Sequence, residues 1–255
     1  MYVTFSIVTA VFNRESTIAG ALQSVAHQTY DTIEHVVIDG ASSDATLDRV
    51  KNFQTPTMRI ISEPDRGIYD ALNKGIRAAR GEVIGLVHSD DWLAHNSVIA
   101  KIAHAFEDPT VDGVYGDLQY VAADDPKRVV RHWRSGEYNP SLLRRGWMPP
   151  HPTLYLRREV FDRYGLYDTS FRIAADYDAM LRYLVKGQIK LAYIPEVLVK
   201  MRVGGESNRS LGRIFLKSRE DLRALRNNGV GGLGTLAAKN LSKISQFFIK
   251  DDQSA

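Results

Sequence analysis

The chain alternates short unbroken apolar runs with stretches whose apolar positions recur every three or four residues. Residues 5–12, 35–38, 58–62 and 83–87 are the runs, and their lengths suit strands buried on both faces. Between them Ile18, Leu22 and Val25, then Leu47 and Val50, then Leu72, Ile76 and Ala79, keep helical spacing, as does the segment 97–106. Ser16 is placed to cap the first of these helices. Val114-Tyr115-Gly116-Asp117 reads as one more strand. Strand and helix alternating in this way predict an α/β fold with a largely parallel sheet and helices on both faces.

The rhythm changes after residue 117. Residues 118–121 and 128–133 predict antiparallel strands across the polar turn Ala123-Asp124-Asp125-Pro126. Residues 139–145 suggest a short helix and 147–152 an irregular aromatic loop. Strands are expected at 153–156, 189–193 and 197–202, and helices at 158–164 and 176–185. From Asn208 onward the chain reads as helical and basic.

Composition adds bounds. The 255 residues can bury a sizeable core, and 44% apolar with 25% charged is ordinary for a soluble protein. The absence of cysteine excludes disulfides and thiolate metal sites and fits the cytosol. Met1 to Ser6 lacks a basic region followed by an apolar core, so no signal peptide is expected. No apolar run approaches the length of a membrane span, about 18 residues. A net charge of +3 does not point to nucleic acid.

The candidate chemistry lies where the runs stop. The fourth run ends in His88-Ser89-Asp90-Asp91. Burying two adjacent carboxylates in a sheet is costly, so the strand should end where they begin. Asp39 ends the second run, and in a parallel sheet these carboxyl ends share the edge where ligands bind. Paired acids there suggest a cation, and a cation suggests phosphate. Asp44, ahead of Ala45-Thr46-Leu47, is better read as a cap. In Asp65-Arg66-Gly67 the arginine can pair phosphate oxygens, and Gly67 lets backbone approach; a plain surface turn is the other reading. Gly229-Val230-Gly231-Gly232-Leu233-Gly234 matches the dinucleotide glycine pattern literally, but no strand precedes it, so a helix stop is the better reading.

Read together, several motifs resemble an inverting family-2 glycosyltransferase with the GT-A fold. They are residues 5–13, Val37-Ile38-Asp39-Gly40-Ala41-Ser42-Ser43-Asp44, Glu63-Pro64-Asp65-Arg66-Gly67-Ile68-Tyr69-Asp70-Ala71-Leu72-Asn73, Ala79-Arg80-Gly81-Glu82, His88-Ser89-Asp90-Asp91, His151-Pro152-Thr153 and Ala174-Ala175-Asp176-Tyr177-Asp178. The resemblance implies a GT-A domain over 1–207, with a nucleotide-sugar half (1–117) and an acceptor half (118–207), and a basic helical extension over 208–255. It implies a UDP- or GDP-type sugar donor held by Thr9, Asp39, Arg66, Asp90 and Arg202. Asp91 would ligate Mn²⁺ or Mg²⁺ on the diphosphate, and Asp176 would be the general base for an acceptor hydroxyl, with Asp178 as the alternative. His151 and Trp147 would line the acceptor pocket, and the acceptor would be a lipid-linked glycan of a surface polysaccharide. The chain departs from the family pattern at His88 and Ala175, where relatives carry acids. A sugar-phosphate nucleotidyltransferase is the competing enzyme reading, although residues 10–15 lack its glycine-rich loop, and a non-catalytic nucleotide-sugar binder is the third.

The final segment adds a question of location. Residues 206–250 hold nine Lys or Arg against three acids, a net of +6, interleaved with Leu211, Ile214, Phe215, Leu222 and Leu225 and followed by Leu241, Ile244, Phe247, Phe248 and Ile249. A basic amphipathic helix of this kind lies on anionic membranes, which would make the protein peripheral on the inner face of the cell membrane. The other reading is a helix packed on the domain with a solvated basic face.

Overall fold

A computed structural model describes residues 3–203 and 211–245. Four parallel strands form the first part of the sheet: β1 (Phe5–Val11), β2 (Ile33–Asp39), β3 (Met58–Ser62) and β4 (Val83–Leu86). Helices α1 (Ile18–Ala26), α2 (Thr46–Asn52) and α3 (Ile68–Ala78) connect them. Ile18, Leu22 and Val25 of α1 and Leu72 and Ile76 of α3 are buried, as their spacing required. After a two-residue strand β5 (Trp92–Leu93) and helix α4 (Val98–Ala105), the chain enters a mixed region. It comprises β6 (Gly113–Val121), β7 (Val129–Trp133), β8 (Tyr155–Arg157), α5 (Arg158–Tyr164), α6 (Ala175–Leu181) and β9 (Leu191–Arg202). Helices α7 (Leu211–Asn227) and α8 (Leu233–Ser245) follow.

The nine strands among the described residues join one sheet in the order β3-β2-β1-β4-β8-β6-β9-β5, with β7 paired to β6. β8 runs antiparallel to both β4 and β6, so it joins the parallel half to the mixed half. This junction is tight. A Cβ on Gly85 would stand 2.0 Å from the Tyr155 ring, so β4 accepts only hydrogen there. Buried side chains on one face form a large cluster under α3, α6 and α7, and those on the other pack under α4.

The α/β alternation and mostly parallel sheet are as expected, but several boundaries move. The strand at 114–117 and the one at 118–121 are a single β6. The strands at 189–193 and 197–202 are likewise one β9, which absorbs its irregularity as a register shift beside Gly116 and Asp117. Residues 140–145 form a 3₁₀ turn, and 151–153 another, so the strand expected at 153 starts at Tyr155. Helix α6 ends at Leu181 and widens into a π turn, Arg182–Lys186. Ser16 does not cap α1: the helix opens at Ile18 on backbone bonds from Thr17 and Ile18 to the Arg14 carbonyl. In α2 the inward positions are Thr46 and Val50, with Leu47 half-buried.

The literal glycine pattern proves to be the helix stop. Gly229 follows α7 with φ +67°, and Val230 N–H bonds back to the Leu225 carbonyl, as in a helix ended by a left-handed glycine. Asp44 is also a turn acid, accepting the Thr46 N–H at 2.9 Å.

Candidate active site

The parallel register aligns Val11, Asp39 and Ser62 across β1, β2 and β3, so the carboxyl ends of these strands form one edge. Asp39 is buried there. Its two oxygens accept the Ser42 N–H at 3.3 and 3.2 Å, and Oδ2 also accepts the Ser62 hydroxyl at 2.7 Å. Its carboxylate thus ties the loop after β2 to the end of β3. Arg66 follows β3 with its side chain 81% exposed, paired to Asp70 at 3.2 Å. Gly67 behind it has φ +119°, a left-handed value that favours glycine. Thr9 lies within the sheet instead of at its edge, and its hydroxyl is 2.9 Å from His35 Nε2.

β4 stops at Leu86, and the acids begin four residues later, beyond the strand. Asp91 is only 1% exposed. Its Oδ1 accepts the backbone N–H of Arg202 at 3.2 Å, and Oδ2 has no hydrogen-bond partner. Burial, and then the neighbouring charge of Asp90, push this carboxyl well above the usual carboxylate range. An unpartnered buried carboxylate oxygen beside a second acid is a place a cation would stabilise. Among the described residues no group of three or more His, Asp or Glu gathers to hold a metal. The unpartnered Oδ2 of Asp91 would suit an ion that takes one or two protein oxygens and the rest from substrate phosphates, as Mg²⁺ commonly does. The Arg202 guanidinium donates to the Ala123 carbonyl at 2.8 Å and lies over the Trp92 ring. Its backbone, not its side chain, meets Asp91.

Asp176 enters from the second half, in the first turn of α6. Its Oδ1 is 3.1 Å from the Tyr69 hydroxyl, which also lies 2.5 Å from the Ile173 carbonyl oxygen. Asp178 is turned away into the protein. Its oxygens accept from Asn228 Nδ2 at 3.0 Å and Arg182 at 3.2 Å.

His88 links the two sides. Burial lowers its pKa, while the charges of Asp90 and Asp176 both act to raise it. Its ring centroid is 5.9 Å from that of His151, whose Nε2 is 2.9 Å from the Tyr167 hydroxyl. Burial brings His151 down to about 4, opposed by Asp176. Tyr120 feels Asp91 and Asp176 alike. The charges of Asp90 and Asp176 thus both act on His88, and those of Asp91 and Asp176 both on Tyr120.

Trp147 is more enclosed than an open sugar platform. Its Nε1 donates to the Ser135 carbonyl at 2.9 Å, one face stacks on Tyr138, and Tyr115 meets it edge-on. Two residues escaped the reading of the sequence. Phe12 is 54% exposed at the end of β1, near Gly40, where an apolar ring in water needs an explanation. Tyr69 sits in a quoted motif, but nothing in its spacing announced a bond to a residue 107 positions away.

Comparison with known proteins gives the family and the fold. The family described as Glycosyl transferase family 2 matches residues 6–169. PGL/p-HBAD biosynthesis glycosyltransferases of Mycobacterium bovis and Mycobacterium tuberculosis are 30% identical over 220 residues, covering 84% of this chain and 82% of theirs. The mannosyltransferase PcManGT from Pyrobaculum calidifontis, solved with GDP-Man and Mn²⁺, superposes with a TM-score of 0.68 at 16% identity, over 98% of this chain and 77% of that one. S. aureus TarS 1-349, solved with UDP-GlcNAc, gives 0.66 at 18% identity, over 89% of this chain and 66% of that one. A family match over more than half the chain sets aside both the nucleotidyltransferase and the non-catalytic reading. The chain belongs to glycosyl transferase family 2 and is a glycosyltransferase of GT-A fold.

Proposed function

We propose that the enzyme transfers a sugar, with inversion, from a nucleoside-diphosphate donor to a hydroxyl of a glycan acceptor. The observation that carries this reading is the buried Asp91 beyond the end of β4, beside Asp90 and with its Oδ2 unpartnered, in a chain of glycosyl transferase family 2. The donor would lie along the edge formed by Asp39, Arg66 and Asp90, with its base against the exposed ring of Phe12. Asp91 would hold a divalent ion through its unpartnered Oδ2, and such an ion, when bound, neutralises the leaving diphosphate. The solved neighbours that carry UDP-GlcNAc, or GDP-Man with Mn²⁺, support a sugar nucleotide and a metal of this kind.

Asp176 is the general base in this scheme. It removes the proton of the acceptor hydroxyl, and the oxygen bonds to the anomeric carbon from the face opposite the diphosphate. The bond from that carbon to the phosphate oxygen breaks, and the nucleoside diphosphate leaves with the electron pair. Asp178 is held by Asn228 and Arg182, and so is poorly placed for this task. Tyr69 orients the Asp176 carboxylate from the donor-side helix α3. His151 faces the same space and is kept neutral by burial, suited to donating or accepting a hydrogen bond with an acceptor hydroxyl. The 1–117 and 118–207 segments serve as donor and acceptor halves in this reading. The acceptor is a lipid-linked glycan, consistent with mycobacterial relatives named for PGL/p-HBAD biosynthesis, and the enzyme works at the inner face of the membrane.

The test is a thermal-shift panel of UDP- and GDP-sugars with and without Mn²⁺, since a ligand that binds only the folded state stabilises it by mass action. Asp91→Ala should abolish the metal-dependent part of the shift. Asp176→Asn should keep the shift and lower turnover by about 10²–10⁴-fold, the usual contribution of a general base. A variant Asp176→Asn with normal turnover overturns the base assignment, and no shift with any sugar nucleotide overturns the reading as a whole.

A further inference from the structure

The segment leading into α6 is held by one residue of α7. The N–H groups of Arg172, Ile173 and Ala174 precede or open the helix, where no helical carbonyl can receive them. All three donate to the carboxylate of Glu220: Arg172 to Oε1 at 2.9 Å, Ile173 to Oε2 at 2.8 Å and Ala174 to Oε2 at 3.0 Å. Glu220 is 7% exposed. The same strip of backbone is gripped from the other side, where the Ile173 carbonyl receives the Tyr69 hydroxyl that also contacts Asp176. Past Asp176, Asn228, the residue that follows α7, makes a second attachment by donating to Asp178. Asp176 is therefore bracketed by α7 at residues 172–174 and by the residue after it at 178.

We infer that Glu220 is a positioning residue for transfer, holding Asp176 at the distance and angle at which it can take the acceptor proton. This rests on Asp176 being the base. A carboxylate receiving three amide N–H groups in succession fixes both position and rotation of that backbone, because each bond constrains a different residue. A carboxylate is also the strongest neutral-amide acceptor a side chain can offer, roughly twice an uncharged partner. Base catalysis is sensitive to this, since a displacement of about 1 Å can cost on the order of 10²-fold. The donor-side residues lie on the ends of β1 to β4, away from α7, so loosening the clamp should leave donor binding alone. Glu220, like Asp176 itself, lies beyond residue 169, where the family model's match ends.

The test uses the full chain and follows nucleoside diphosphate release from UDP-GlcNAc or GDP-mannose with Mn²⁺, whichever the panel identifies, with water as acceptor. Glu220→Gln keeps the size of the side chain but replaces one acceptor oxygen by an NH₂ that faces an N–H. Its kcat should fall by about 10–100-fold, with donor KM within twofold of the parent and the melting temperature nearly unchanged. Glu220→Ala should lose more. An unchanged kcat for Glu220→Gln overturns the inference. So does a parallel loss of kcat, donor affinity and melting temperature, which would mark a purely structural acid. Asp176→Asn is run alongside. If it turns over normally, the base assignment falls; if it is inactive while Glu220→Gln is fully active, only the role of Glu220 falls.

Discussion

His35 shows how a single side chain sets the response of the fold to acid. It sits buried on β2 with Nε2 2.9 Å from the Thr9 hydroxyl, and burial brings its pKa to about 4 from an ordinary 6.5. His151 shows the same shift for the same reason. In the folded protein both remain neutral until the pH nears 4, whereas in the unfolded chain both protonate near 6.5. The unfolded state thus binds more protons between these values, and stability rises with pH there. The contribution of these two histidines should be full above pH 6.5 and decline as the pH falls toward 4, opposed by the raised carboxyl of Asp91. Urea unfolding midpoints measured across this range should show the decline, and His35→Gln should flatten its slope by about one proton. The sequence did not announce this: His35 opens an apolar run and reads as a strand residue, and only the pairing of β1 with β2 shows Thr9 as its partner. Thr9 was expected at the donor for its place in the opening motif, and the same pairing draws it inside.

At the scale of elements, the attachment of α8 rests on a buried charge cluster. Lys239 Nζ is 2.9 Å from Asp221 Oδ1 and 3.1 Å from the centre of the Tyr177 ring, while Lys217 reaches Asp221 Oδ2 at 3.1 Å. One carboxylate faces two ammonium groups, which hold it below the usual carboxylate range despite burial. The two sides of the pair should therefore respond differently. Lys239→Met removes one charge and leaves Asp221 still paired with Lys217. Asp221→Asn leaves two lysines facing each other in a buried place. Removing one partner of a buried pair costs about 3–5 kcal/mol, and Asp221→Asn should lie at or above the top of that range and Lys239→Met below it, read as urea midpoints. Elements of this kind are only half legible in sequence. The period of α1 and α3 was plain because each has a single buried stripe. The continuity of β6 and β9 was hidden, because a glycine, a proline and interspersed charges within them look like turns when the neighbouring strand is unknown.

For the whole molecule, α7 and α8 decide how the catalytic domain meets its surroundings. Ala224, Leu225 and Val230 enter the same buried cluster as α3 and α6, so α7 is packed and not free. Yet Phe215 is 74% exposed, and Ile214, Leu233 and Leu241 are exposed as well. The buried side of α7 packs on the domain, as the second reading of the tail expected, and its outward side carries apolar residues beside the exposed Arg219 and Arg226. The second apolar group, Phe247, Phe248 and Ile249, lies outside the described residues, as do 204–210. No helix among the described residues is long and apolar enough to cross a membrane. If the outer face meets anionic lipid, the double variant Ile214→Ser, Phe215→Ser should sediment several-fold less with phosphatidylglycerol vesicles at equal Tm. Unchanged sedimentation would remove the membrane from the account. The strand-end acids were legible because burying them in a strand is costly, and Asp176 because a motif marked it. The residues that hold Asp176 were not, because Glu220 and Tyr69 meet only through the fold. That arrangement bears on how such enzymes can be recombined. A chimera joined at residue 169, where the family model's match ends, would keep Tyr69 from one parent and take both Asp176 and Glu220 from the other. A join placed between α6 and α7 would separate Asp176 from Glu220. Of these two crossovers, the first should more often yield active hybrids.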